Sequence, residues 1–96
     1  MPNPPPGFEW DETKAAINWR KHRVSFAAVK DFDFETALMT EDLRADYGEE
    51  RIFALGRIGR TIHALVFTRR KEKRRVITLR KATAEERATY FAAGGQ

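Results

Sequence analysis

The segment Thr61 to Thr68, TIHALVFT, is apolar at nearly every position and limits the possible folds more than any other stretch of the chain. A strand with one wet face alternates polar and apolar residues, whereas a continuous run of this length needs cover on both faces. Thr61 to Arg69 is therefore expected to be the central strand of a sheet, with helices as the cover. The 96 residues leave room for one such layered unit, and 42% hydrophobic residues, with 7 Phe, 2 Trp and 2 Tyr, supply its core. Without cysteine, the core must hold by packing alone, and thiolate metal sites are excluded. No metal or other cofactor is expected.

The flanking segments fill in the plan. Met1 to Gly7, MPNPPPG, reads as a disordered tail, and residues 8–93 as the folded domain. Phe8 to Trp10 is a brief strand. Asp11 is placed to cap a helix over Glu12 to His22, with Glu12 in its first turn and Lys21 and His22 in its last, as the helix dipole favours. Ala15, Trp19 and Ile17 are expected on the buried side of this helix, with Lys14, Asn18 and Lys21 as a wet stripe. Ser25 caps a second short helix ending near Phe32, with Val24 and Val29 as a hydrophobic staple. Strands follow at Glu35 to Thr40, Arg51 to Arg57, Thr61 to Arg69 and Arg75 to Arg80, with an acidic loop from Asp42 to Glu50 and a tight turn at Ile58-Gly59. Thr83 and Glu86 form a capping box for a last helix reaching Phe91, stopped by Gly94 and Gly95. The order β-α-α-β-β-β-β-α predicts an α+β fold, a small antiparallel-rich sheet with two N-terminal helices and one C-terminal helix.

Charge is distributed unevenly. Residues 1–56 carry 7 Lys and Arg against 11 Asp and Glu, a net of −4, whereas residues 57–96 carry 11 against 3, a net of +8. A basic end on a small domain suits nucleic acid through phosphate neutralisation, and an acidic protein partner is electrostatically equivalent. The densest cluster is Arg69-Arg70-Lys71-Glu72-Lys73-Arg74-Arg75, six of seven residues basic, at a hairpin tip. It is either a solvated turn guarded against edge pairing or, in one strip with Arg80 and Lys81, a phosphate-binding surface. No run reaches the roughly 18 apolar residues of a membrane span and the start lacks the pattern of a signal peptide, so a cytoplasmic location is expected.

RNA cleavage without a metal would use the RNA's own 2′-hydroxyl as nucleophile. It needs a base for that proton, cations for the charge on phosphorus, and an acid for the departing 5′-oxygen. Arg80, Arg57 and Arg69 are candidates for the cationic role, because the planar guanidinium binds phosphate oxygens in pairs. Of the two histidines, His63 sits within the apolar strand and reads as structural. His22 is either a dipole partner at its helix end or a proton-transfer group. Glu49 and Glu50 are possible bases. Tyr90 could stack on a base or give a proton, against packing beside Phe91. No P-loop, GxGxxG, CxxC or Ser-His-Asp order is present.

FEWDETKAAINWRKHRVSF, Phe8 to Phe26, and RVITLRKATAEERATY, Arg75 to Tyr90, with Glu50, Arg51 and Gly56 between them, resemble the opening and closing motifs of the BrnT family of bacterial toxins. The likeness runs from Phe8 to Phe91. The resemblance implies a type II toxin with a RelE-like fold that cleaves RNA, inhibits translation and is neutralised by a BrnA-like antitoxin that also binds operator DNA. It matches at Asp11, Lys14, Asn18, Lys21, His22, Glu50, Arg51, Arg80, Arg87 and Tyr90, and implies catalysis by Lys21, His22 and Arg80 with Glu50 or Tyr90. The basic residues assigned to RNA are Arg57, Arg69, Arg70, Lys71, Lys73, Arg74 and Lys81. Two positions depart from the motifs: Arg23 stands where the family has Gly, and Leu79 replaces a small residue before Arg80. The rival reading is a non-catalytic module that blocks a target such as the ribosome or a topoisomerase.

Overall fold

A computed structural model describes residues 3–43 and 48–95. Residues 44–47 of the predicted acidic loop lie outside the described residues, as do residues 1–2 of the tail. The elements are β1 (Phe8–Glu9), α1 (Glu12–His22), a 3-10 helix (Phe26–Asp31), β2 (Leu38–Glu41), β3 (Ile52–Ile58), β4 (Thr61–Arg70), β5 (Lys73–Lys81) and α2 (Ala84–Ala92). The sheet has the order β1-β5-β4-β3-β2, so the apolar β4 is its central strand. Neighbours pair antiparallel except β1, which lies parallel to β5 at Phe8 and Glu9 only.

Both faces of β4 are covered. On one face Leu65 and Phe67 pack with Ala54, Val76 and Leu79 beneath α1 and the 3-10 helix, which contribute Ala15, Phe26 and Val29. On the other, Ala64 and Ile62 pack with Leu55 beneath Tyr90 of α2. Gly56 lets the first layer close, since a Cβ there would lie 2.6 Å from Cζ of Phe32. Among the described residues no helix is long and apolar enough to cross a membrane.

The expected caps form. Asp11 accepts from the backbone N–H groups of Thr13 and Lys14, Ser25 accepts from that of Ala27, and Thr83 and Glu86 make the reciprocal capping box. Val24 and Val29 are both buried, as a staple requires.

The structure corrects four expectations. The second helix is 3-10 rather than α: the N–H groups of Ala28 and Phe32 reach the carbonyls three residues back, the tighter winding usual in short connectors. The strand expected from Glu35 begins at Leu38, because Asp33 accepts from the Glu35 N–H at 3.0 Å and the Thr36 hydroxyl at 2.8 Å and holds that stretch in a bend. The basic hairpin is tighter than expected, with Arg70 and Lys73 paired and only Lys71 and Glu72 in the turn. Finally, α1 is rotated relative to the expected amphipathic pattern: Asn18 is buried with Ala15, whereas Trp19 and Ile17 are about half exposed. Buried hydrogen bonds explain that rotation and lead directly to the site.

Candidate functional site

Because β1 pairs only with Arg74 and Arg75, no strand among the described residues lies beside the outer edge of β5 from Val76 onward. Backbone polar groups left there would need partners, and Asn18 of α1 supplies them at Leu79. Its Nδ2 donates to the Leu79 carbonyl at 2.7 Å and to the Val24 carbonyl at 3.0 Å, and its Oδ1 accepts from the Leu79 N–H at 3.2 Å. One side-chain amide thus stands in for a missing strand and fixes the last turn of α1 to the sheet edge.

The next residue, Arg23, terminates α1 in the left-handed region with φ 58°, its N–H bonded to the Trp19 carbonyl at 2.8 Å. A glycine would adopt that geometry without strain; arginine costs about 1 kcal/mol there. The turn forms with arginine in place.

The docked helix creates a groove along the β5 edge lined by Lys14, Asn18, Lys21, His22, Ile77 and Thr78. His22 is held below the ordinary histidine value, first by burial and then by the positive charges of Lys21 and Arg80, so the neutral imidazole dominates at pH 7. Lys21 and His22 share this groove, whereas Arg80 is not part of its lining and bears on His22 through its charge alone.

Arg80 is held from the opposite face of the sheet. Its two terminal nitrogens grip Glu86 of α2 at 2.7 and 2.9 Å. This pairing, ahead of the Thr83 backbone bond, pulls the Glu86 carboxyl down to about 2. Leu79 does not crowd this arrangement: it is buried in the core beneath α1, and successive strand residues point to opposite faces. Arg80 also borders a hollow with Asp42, Leu43 and Phe53.

Other predicted site residues lie elsewhere. Glu50 is exposed, and its carbonyl accepts from the Thr68 hydroxyl at 2.6 Å. Thr68 is four residues along β4 from Ala64, the partner of Arg80, or roughly 13 Å. Arg74 is six residues along β5 from Arg80, roughly 20 Å, so the expected unbroken strip is divided. Arg74 turns inward, 4.1 Å from the ring centre of Phe34, and Arg75 pairs with Glu9 at 2.8 Å. Arg69, Arg70, Lys71 and Lys73 are exposed at the tip, and Lys81 is exposed at the other end. Arg57 lies over the Phe91 ring at 5.7 Å.

Tyr90 cannot reach a substrate in this conformation. It is fully buried, with its hydroxyl 3.5 Å from that of Thr36, because α2 lays this ring on Leu55 and Ala64. His63 is the structural residue expected, buried with Nδ1 3.0 Å from the Thr61 carbonyl. Sequence reasoning missed Glu86 as the partner of Arg80, having assigned it wholly to the cap; its position six residues after the arginine was the available signal.

Residues 10–86 match the family model described as the ribonuclease toxin BrnT of type II toxin-antitoxin systems. No curated protein matches the chain. The match takes in α1 and β5, the elements that assemble the groove, and also Glu86, and the chain belongs to the BrnT family of ribonuclease toxins.

Proposed function

We propose that this toxin cleaves RNA by transesterification at the outer edge of β5, with Lys21, His22 and Arg80 as the reacting groups. The observation that supports the reading is that Lys21 and His22 line one groove at the β5 edge, with His22 kept neutral by burial and by the positive charges of Lys21 and Arg80. A neutral imidazole takes the proton from the 2′-hydroxyl as the 2′-oxygen bonds to phosphorus. The P–O5′ bond breaks, Lys21 gives a proton to the departing 5′-oxygen, and the products are a 2′,3′-cyclic phosphate and a 5′-hydroxyl. Arg80 faces the charge that builds on the phosphoryl oxygens. Its pairing with Glu86 fixes its direction beforehand, so little reorganisation is needed during reaction.

Arg69, Arg70, Lys71 and Lys73 at the hairpin tip, with Arg57 and Lys81 at the other end of the sheet, hold phosphates several nucleotides from the scissile bond. Glu50 and Tyr90 take no part in this scheme. In this reading the fold is RelE-like, and the protein acts in the cytoplasm, where cleavage inhibits translation. A BrnA-like DNA-binding antitoxin neutralises it and brings the pair to operator DNA. Inducible expression of the wild type, His22→Ala and Arg80→Ala, followed by mapping of RNA 5′ ends, tests the proposal. New 5′-hydroxyl ends are expected with the wild type alone; equal cleavage by all three chains would overturn it.

A further inference from the structure

Trp10 and Trp19 are the only two tryptophans of the chain, and both line one apolar groove of about 610 Å³ along α1. Small side chains leave room for the hollow: Ala15 and Ala16 line it together with Trp10, Trp19 and Phe26. Trp10 meets Phe26 edge-on at 5.7 Å, so the inner wall is fixed. Trp19 is 48% exposed, a large apolar surface to leave in water. Charge is confined to the ends. Glu12 lies at one, Arg20 at the other, and Arg23 stands beyond, its guanidinium 5.7 Å from the Trp19 ring.

Helical spacing places this groove on the flank of α1 opposite Lys14, Asn18 and Lys21, so it is separate from the RNA edge. Its character also differs. A single-stranded nucleic acid track needs cations along its length, whereas Arg20 is the one basic residue in this lining. A pair of tryptophans with small residues is instead the composition of a protein-binding hot spot. A type II toxin has an antitoxin as its partner, and the groove is suited to a segment of such a protein.

We propose that the Trp10–Trp19 groove anchors the antitoxin, through an amphipathic helix whose apolar side chains enter between the tryptophans and whose acidic end meets Arg20 and Arg23. From Glu12 to Arg20 the groove runs eight helical residues, about 12 Å, which matches two turns of an opposing helix and apolar anchors at i, i+4 and i+7. Arg20 in the last turn of α1, with Arg23 just beyond it, favours the acidic end there. Antitoxin anchoring on one flank of α1 and RNA cleavage at the other are then separable. The inference rests on the assignment of the chain as a toxin with a protein antitoxin, and not on the cleavage chemistry.

The tryptophans themselves report occupancy. Adding a tryptophan-free form of the cognate antitoxin to the full-length toxin should shift the emission to the blue and protect it from acrylamide quenching. An RNA oligonucleotide made uncleavable by 2′-deoxy substitution should leave the emission unchanged. Ala16→Arg fills an exposed position with a good helix former, so α1 should persist. It should weaken antitoxin binding at least about 30-fold, the size of a hot-spot loss, while RNA cleavage stays within about twofold of the wild type. The double reversal Arg20→Glu with Arg23→Glu should weaken antitoxin binding as well, and a thermal melt of each variant checks folding. Wild-type antitoxin affinity in folded Ala16→Arg would overturn the proposal, as would lost cleavage with antitoxin binding retained, which would mark the groove as an RNA platform. If the wild type cut no RNA but Ala16→Arg still lost the antitoxin, the cleavage reading would fail and the groove assignment would stand.

Discussion

Replacing Asn18 by Leu should cost this protein a large share of its stability, although the change adds apolar character to a buried position. Three backbone groups, the Leu79 N–H, the Leu79 carbonyl and the Val24 carbonyl, depend on the Asn18 amide. With Asn18 only 5% exposed, water cannot readily take its place. At roughly 1 kcal/mol for each stranded group the loss is about 3 kcal/mol, against a total of roughly 5–14 kcal/mol for a domain of this size. The expected fall in Tm is about 12 °C or more. Asn18→Asp separates hydrogen bonding from packing. Its second carboxyl oxygen would face two carbonyl oxygens where Nδ2 now donates at 2.7 and 3.0 Å, so the protonated form is favoured and the folded-state pKa is raised. Relative to the wild type, this variant should therefore be most stable below the unfolded aspartate value, about 3.9, and lose stability as pH rises through the raised folded value. Urea unfolding followed by tryptophan fluorescence at pH 4, 5.5 and 7 measures both effects. A leucine variant within about 0.5 kcal/mol of the wild type, or an aspartate variant whose deficit does not change between pH 4 and 7, would refute the reasoning.

Further outcomes follow from the electrostatics. Cleavage by the wild type should fall as pH drops through the lowered His22 pKa, below the ordinary 6.5, since only the neutral ring accepts the 2′ proton. His22→Ala should lose this acid limb together with about 10²–10⁴ of the rate, and an unchanged profile would remove His22 as the base. The Arg80–Glu86 pair should contribute stability that is fully present above pH 4.5 and lost as pH falls from there towards 2, because folding depresses the carboxyl pKa. The stability gap between the wild type and Glu86→Gln should close over that range in denaturant titrations. Neutralising Arg69, Arg70, Lys71 and Lys73 together should lower the slope of log affinity against log salt by up to about 3 for single-stranded RNA. A slope equal to the wild type would show that the tip does not touch phosphate.

Local signals carried most of the fold. The apolar run from Thr61 could only be a doubly covered strand, and Asp11, Ser25 and the Thr83–Glu86 box each cap a helix through hydrogen bonds spanning at most three residues. What escaped depends on long-range contacts. Asn18 looks solvated in a helical pattern, because its partner Leu79 is 61 positions away. The parallel contact of β1 with β5 joins positions 66 residues apart, and it leaves the open edge where the groove forms. Lys21, His22 and Arg80 could be picked out by residue type and motif, but that Lys21 and His22 line one groove while Arg80 turns to Glu86 of α2 is a property of the folded sheet and its helices. The tight hairpin and the inward turn of Arg74 likewise divide a charge cluster that looks continuous in one dimension.

The most direct test of the account is cleavage of a short RNA at its mapped scissile site, compared with the same oligonucleotide carrying a single 2′-deoxy nucleotide on the 5′ side of that bond. The account predicts a 2′,3′-cyclic phosphate and a 5′-hydroxyl from the first, and no cut at that position in the second. Cleavage of the 2′-deoxy substrate at an undiminished rate would contradict it, because the nucleophile would then have to be something other than the RNA's own hydroxyl.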